Sequence, residues 1–149
     1  MTAEGDAIVS VARRWIGTPY HHQASLEGVG SDCLGLVRGI WREMIGPEPE
    51  EIPSYSPHWA ESGGAETLLD AARRQMRPLS REAAAPGDVL AFRMRRGGLA
   101  KHLAVLVEGD VQAGRIVHAY EGHAVCETAL GKAWSRRIAG AFRFPVGET

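Results

Sequence analysis

The 149-residue chain has little cysteine, little lysine and no long apolar run. Its two cysteines, Cys33 and Cys126, allow one bridge at most, whereas a small secreted disulfide scaffold carries several. Both are therefore read as thiols. Lysine occurs only at Lys101 and Lys132, so almost all positive charge is arginine. Basic residues number 17 and acidic residues 18, for a net charge of −1. Such a balance offers no strong basic field to hold nucleic acid or an anionic membrane. No stretch is long and apolar enough for a membrane span or a signal peptide, and Glu4 and Asp6 stand near the start. The expectation is synthesis in the cytoplasm, without membrane insertion. Phosphate-binding glycine loops, paired-carboxylate motifs and EF-hand loops are also missing, so no cofactor is expected. What is present, 44% hydrophobic and 23% charged residues, is the make-up of a soluble globular chain. The length fits one domain over residues 1–149, able to bury a core unaided.

The patterning changes halfway along. Ile8, Val11, Ala12 and Trp15 recur on one face and predict a helix over 6–16, ended by Gly17 and Pro19. Residues 17–31 form a loop rich in glycine. A second helix is expected to start at Cys33, capped by Ser31 or Asp32, with Leu36, Val37, Ile40, Trp41 and Met44 as its apolar stripe. Residues 46–64 read as a surface loop whose acids, Glu48, Glu50 and Glu51, form a solvated face. Residues 65–76 are helical again. After Pro86-Gly87 come strands at Val89–Met94, His102–Glu108, Arg115–Glu121, Val125–Thr128 and Ile138–Phe144, with a short helix near Leu130–Ser135. The continuously apolar stretch Leu103–Val107 is expected at the centre of the sheet. Helices first and strands second predict an α+β fold with an antiparallel sheet of about five strands packed on helices.

Three residues stand out chemically. Cys33 opens a helix, where the macrodipole and unpaired N–H groups favour an anion and can lower a thiol pKa. Those N–H groups can also face a developing oxyanion. His102 starts the central strand, where an imidazole can pair with a nearby cysteine as its general base. His118, among apolar neighbours on the next strand, needs a hydrogen-bond partner and is placed to orient His102. Tyr20, in the loop before Cys33, carries a phenol able to donate to an oxyanion. A zinc site made of Cys33, His102 and His118 is chemically conceivable but lacks a fourth ligand, so no metal is assigned. Cys126 reads as structural. His21, His22, His58 and His123 lie in loops without ligand spacing.

In order along the chain, five segments resemble the NlpC-type family of cell-wall peptidases, a branch of the papain-like cysteine peptidases. These are Gly17-Thr18-Pro19-Tyr20, Asp32-Cys33-Leu34-Gly35-Leu36, Pro86-Gly87-Asp88-Val89, His102-Leu103-Ala104-Val105 and His118-Ala119. The resemblance implies helices packed on an antiparallel sheet, with Cys33 as nucleophile, His102 as base and His118 as orienter. It also implies Tyr20 near the oxyanion and Asp32 shaping the pocket for the substrate's free amine. The implied partners are peptidoglycan stem peptides, whose amide bonds the family hydrolyses. One departure is Leu34, where serine is usual. With Gly35-Leu36-Val37-Arg38 it is similar to the subgroup in phage tails and gene transfer agents. That implies a protein carried on a tail tip or hub and acting in the periplasm or wall. The alternatives are a catalytically silent tail or adaptor module, a secretion-system amidase effector, and a related acyltransferase or amidase with another substrate.

Overall fold

The computed structural model describes residues 2–50, 66–95 and 97–147. Helix α1 spans Ala3–Arg14, and the Thr2 side chain caps it by accepting the Gly5 N–H at 2.9 Å. Glu4 and Asp6 lie in its first turn and Arg13 and Arg14 in its last, each complementing the helix dipole. Helix α2 spans Cys33–Met44 and buries Leu36, Val37, Ile40 and Trp41. The two helices cross where Gly39 leaves room for the Trp15 indole. A Cβ at position 39 would lie 2.1 Å from that ring. Helix α3, Thr67–Gln75, and the four-residue α4, Lys132–Ser135, complete the α-helices among the described residues.

Two short strands, β1 (Ser25–Leu26) and β2 (Gly30–Ser31), form a hairpin inside the segment expected to be loop. The main sheet contains β3 (Arg77–Leu79), β4 (Val89–Arg93), β5 (Ala100–Glu108), β6 (Gly114–His118), β7 (Cys126–Leu130) and β8 (Ile138–Arg143). Its order is β3-β8-β4-β5-β6-β7, every neighbouring pair antiparallel. The α+β expectation therefore holds, with a sixth strand added at one edge. Strand β3 eluded the sequence reading because it has three residues and contains Pro78. A proline cannot donate to a ladder and is tolerated at an edge. Strand β6 stops at His118 rather than running to residue 121, because the chain turns at once, His123 N–H donating to the Tyr120 carbonyl at 2.9 Å.

Alternation divides the core in two. Val89, Ala91, Leu103, Val105, Val107 and Val117 face α1, α2 and α3. Leu90, Phe92, Ala104, Leu106, Ile116, Leu130 and Ala141 form a smaller cluster on the other face, partly covered by Trp134. Both cysteines are free thiols. Glu48 and Glu50 are paired rather than simply solvated, Glu48 with Arg38 and Arg42, Glu50 with Arg74. The expectations for Glu51, His58 and the rest of 51–65 lie outside the described residues. Among the described residues no helix is long and apolar enough to cross a membrane.

Candidate active site

Asp32 is the N-cap of α2 and fixes the position of Cys33, the first helical residue. Its Oδ1 accepts the Gly35 N–H at 2.7 Å and its Oδ2 accepts the Gln23 N–H, also at 2.7 Å. One buried carboxylate thus satisfies a helix-end donor and ties the preceding loop to the helix. Ser31, the other capping candidate, instead donates its hydroxyl to the Asp32 carbonyl at 2.8 Å. The loop can press against the first turn because position 35 has no side chain. A Cβ there would be 1.9 Å from the Ala24 carbonyl oxygen. Tyr20 is drawn in by its bridge to Ser31. Burial, with Asp32 and Cys33 close by, pushes its phenol up to about 12, so at neutral pH it remains an O–H donor.

The lowered thiol pKa expected at a helix start is not found. Burial first, and then the Asp32 carboxylate, push the Cys33 thiol up to about 12. The N–H groups of Leu103, Leu34 and Cys33 act on the sulfur in the opposite direction. Loss of water and an adjacent negative charge outweigh three backbone dipoles. The resting group at neutral pH is a thiol.

His102 on β5 and His118 at the end of β6 are brought together. His102 Nε2 and His118 Nδ1 are 2.9 Å apart, and both residues are buried. Phe92, Tyr120 and Trp134 enclose the pair, their rings centred 5.2–6.2 Å from one or both imidazoles. Burial, with His118 alongside, pushes the His102 imidazolium pKa below its ordinary value. Burial, with His123 nearby, does the same to His118. Both rings are neutral near pH 7. Because Nε2 of His102 is committed to His118, Nδ1 is the nitrogen left over. Between Cys33 and His102 themselves the described residues show no hydrogen bond. The strand meets the sulfur through the N–H of Leu103, the residue after His102.

The histidines bond to each other instead of converging on a common point, which argues against the zinc alternative. Among the described residues no group of three or more His, Cys, Asp or Glu could hold a metal. Cys126 opens β7 opposite His118 in register and is half-buried. Of the loop histidines, His22 lies 4.0 Å from Asp32 and His123 stacks on Tyr120.

Two residues of the site were not singled out from the sequence. Thr128 on β7 places its Oγ1 3.1 Å from His118 Nε2. Trp134 on α4 packs against both imidazoles, with centroids 5.3 Å away. No signal in the sequence pointed to Thr128, because the face it shares with Ile116 and His118 is set by strand register.

The chain has relatives of the same fold. The sequence profile of the NlpC/P60 family matches residues 17–143. No curated protein matches the chain. Among solved structures it is similar to the NlpC/p60 domain of the peptidoglycan hydrolase SagA. The two are 23% identical with a TM-score of 0.61, over 94% of this chain and 98% of that one. An NlpC/P60 family protein from Bacillus cereus is 23% identical with a TM-score of 0.65 over 96% of this chain. NlpC2 from Trichomonas vaginalis is 15% identical with a TM-score of 0.68 over 97%. The alignment covers 40% of the Bacillus cereus chain and 48% of the Trichomonas vaginalis chain, less than half the length of either.

Proposed function

We propose that this chain, which belongs to the NlpC/P60 family, is a cysteine endopeptidase that cleaves amide bonds in peptidoglycan stem peptides. The observation that carries the reading is the His102–His118 bond of 2.9 Å beside a cysteine held at a helix start. In this reading His102 Nδ1 takes the proton of the Cys33 thiol, and the thiolate attacks the scissile carbonyl carbon. The resulting oxyanion is met by N–H groups of the first turn of α2 and by the Tyr20 hydroxyl. The His102 imidazolium then protonates the leaving amine, and the C–N bond breaks. Water, activated by the same imidazole, hydrolyses the thioester and restores the thiol. His118 holds the His102 ring through Nε2. Asp32 shapes the pocket mainly through the backbone it holds.

The finer reading is delivery on a phage-like tail, with a tip or hub protein as partner. Leu34 beside the nucleophile supports it, through the likeness of that segment to tail-borne members of the family. Pull-down of assembled tail particles would test it separately.

The test of the chemistry is a digest of purified sacculi with products identified by mass spectrometry, run beside Cys33→Ala. The wild type is expected to release peptide fragments with new termini and the variant none. Equal digestion by both proteins would remove Cys33 from the mechanism.

A further inference from the structure

The bond between His102 and His118 holds one proton when both rings are neutral, and there are two ways to place it. In the first, His102 carries its proton on Nε2 and donates to His118 Nδ1, which leaves Nδ1 of His102 bare and able to accept from Cys33. His118 must then carry its own proton on Nε2, facing Thr128 Oγ1 at 3.1 Å. In the second, His118 donates from Nδ1. His102 then carries its proton on Nδ1, where it cannot serve as a base toward the thiol. A neutral imidazole has one donor and one acceptor, so no mixed arrangement keeps the bond. The tautomer of His118 therefore decides whether His102 is usable.

We propose that Thr128 is a positioning residue that holds His118 as its Nε2–H tautomer, by accepting that proton on Oγ1, and so keeps Nδ1 of His102 free for Cys33. The proposal rests on the peptidase reading for its consequence, but its structural content does not. Thr128 lies on β7, where its Cα partner is Ile116, and it reaches His118 diagonally, two residues along the facing strand. Its hydroxyl can accept from an Nε2–H or donate to a bare Nε2, so the bias it supplies is the difference between the two losses when it is removed. Without an acceptor at this point, a buried N–H at His118 Nε2 would have no partner. An orphaned donor costs more than an unused lone pair, and the proton would move to Nδ1. When His102 becomes an imidazolium, its Nε2–H donates to His118 and His118 donates on to Thr128. The aligned chain then stabilises the charge cooperatively.

Thr128→Val keeps the shape and the β-branched stem and removes the acceptor. Thr128→Ser keeps the acceptor. Imidazole nitrogen resonances in labelled protein identify each tautomer without reference to activity. Wild type and Thr128→Ser are expected to show His118 protonated on Nε2, and Thr128→Val to show it mainly on Nδ1. For muropeptide cleavage, Thr128→Val is expected to lose about tenfold or more in kcat with KM little changed, because Thr128 acts through His118. Thr128→Ser should stay within a few-fold of wild type. The proposal is overturned if His118 keeps its Nε2 proton in the valine variant, if serine behaves as valine does, or if the tautomer moves while kcat does not. A wild-type protein inactive on every muropeptide would sink the peptidase reading, and the resonances would still decide the role of Thr128.

Discussion

A histidine that is buried and neutral makes a protein sensitive to acid. His102 and His118 both have folded pKa values below the unfolded value near 6.5, because burial excludes the charged ring. As pH falls below about 6.5 the unfolded chain binds protons that the folded chain does not. This contribution to stability is complete above that pH and is lost on acidification. Each proton bound only by the unfolded chain changes stability by about 1.4 kcal/mol per pH unit. Urea unfolding is therefore expected to show a lower midpoint at pH 5 than at pH 7, with a smaller fall in His118→Gln. Equal falls in the two proteins would mean that His118 titrates freely in the folded state. At this scale the sequence was informative about identity and silent about geometry. Cys33, His102, Tyr20 and Asp32 could be named from local context and motif. The 2.9 Å bond between the histidines and the contact of Thr128 with His118 depend on strand register, which residue order does not reveal.

Helices and long strands obey a period, which located them but not all of their ends. The stripe of α2 and the unbroken apolar stretch of β5 fall where periodicity puts them. The hairpin β1–β2 and the edge strand β3 have two or three residues each, too few to display alternation, and only their partners make them strands. Packing of elements rests on small contacts of equal specificity. Gly39 is the point where α1 lies on α2, with the Trp15 ring occupying the space of a side chain. Gly39→Ala would improve helix propensity by about 1 kcal/mol in isolation. Here the new methyl must displace a buried indole, and overpacking of this kind costs about 1–3 kcal/mol. The net expectation is a lower thermal midpoint. An unchanged or raised midpoint would show that the helices slide apart without loss.

Across the whole molecule, the two ends of the sheet do different work. Phe92 pairs with His102 at one end of β4, and Val89 pairs with Val105 near the other. At that far end the buried Asp88 carboxylate accepts from Arg143 at 2.9 and 2.8 Å and from the Ala85 N–H at 2.8 Å. Asp88 precedes Phe92 by four positions, roughly 13 Å along an extended chain. Asp88→Ala is expected to cost about 1–3 kcal/mol, moderated because Arg143 can turn to solvent. Cleavage by the folded fraction should be little affected. Chemical denaturation together with sacculus digestion at low temperature would check both halves, and a large loss of kcat with stability retained would contradict this division. At the His102 end, the Leu103 N–H acts on the Cys33 sulfur without a side chain of the sheet. That amide is a built-in spectroscopic probe. Ionisation, alkylation or acylation of the sulfur would each shift its resonance, so the stages of a turnover could be followed from a backbone signal that no mutation need disturb.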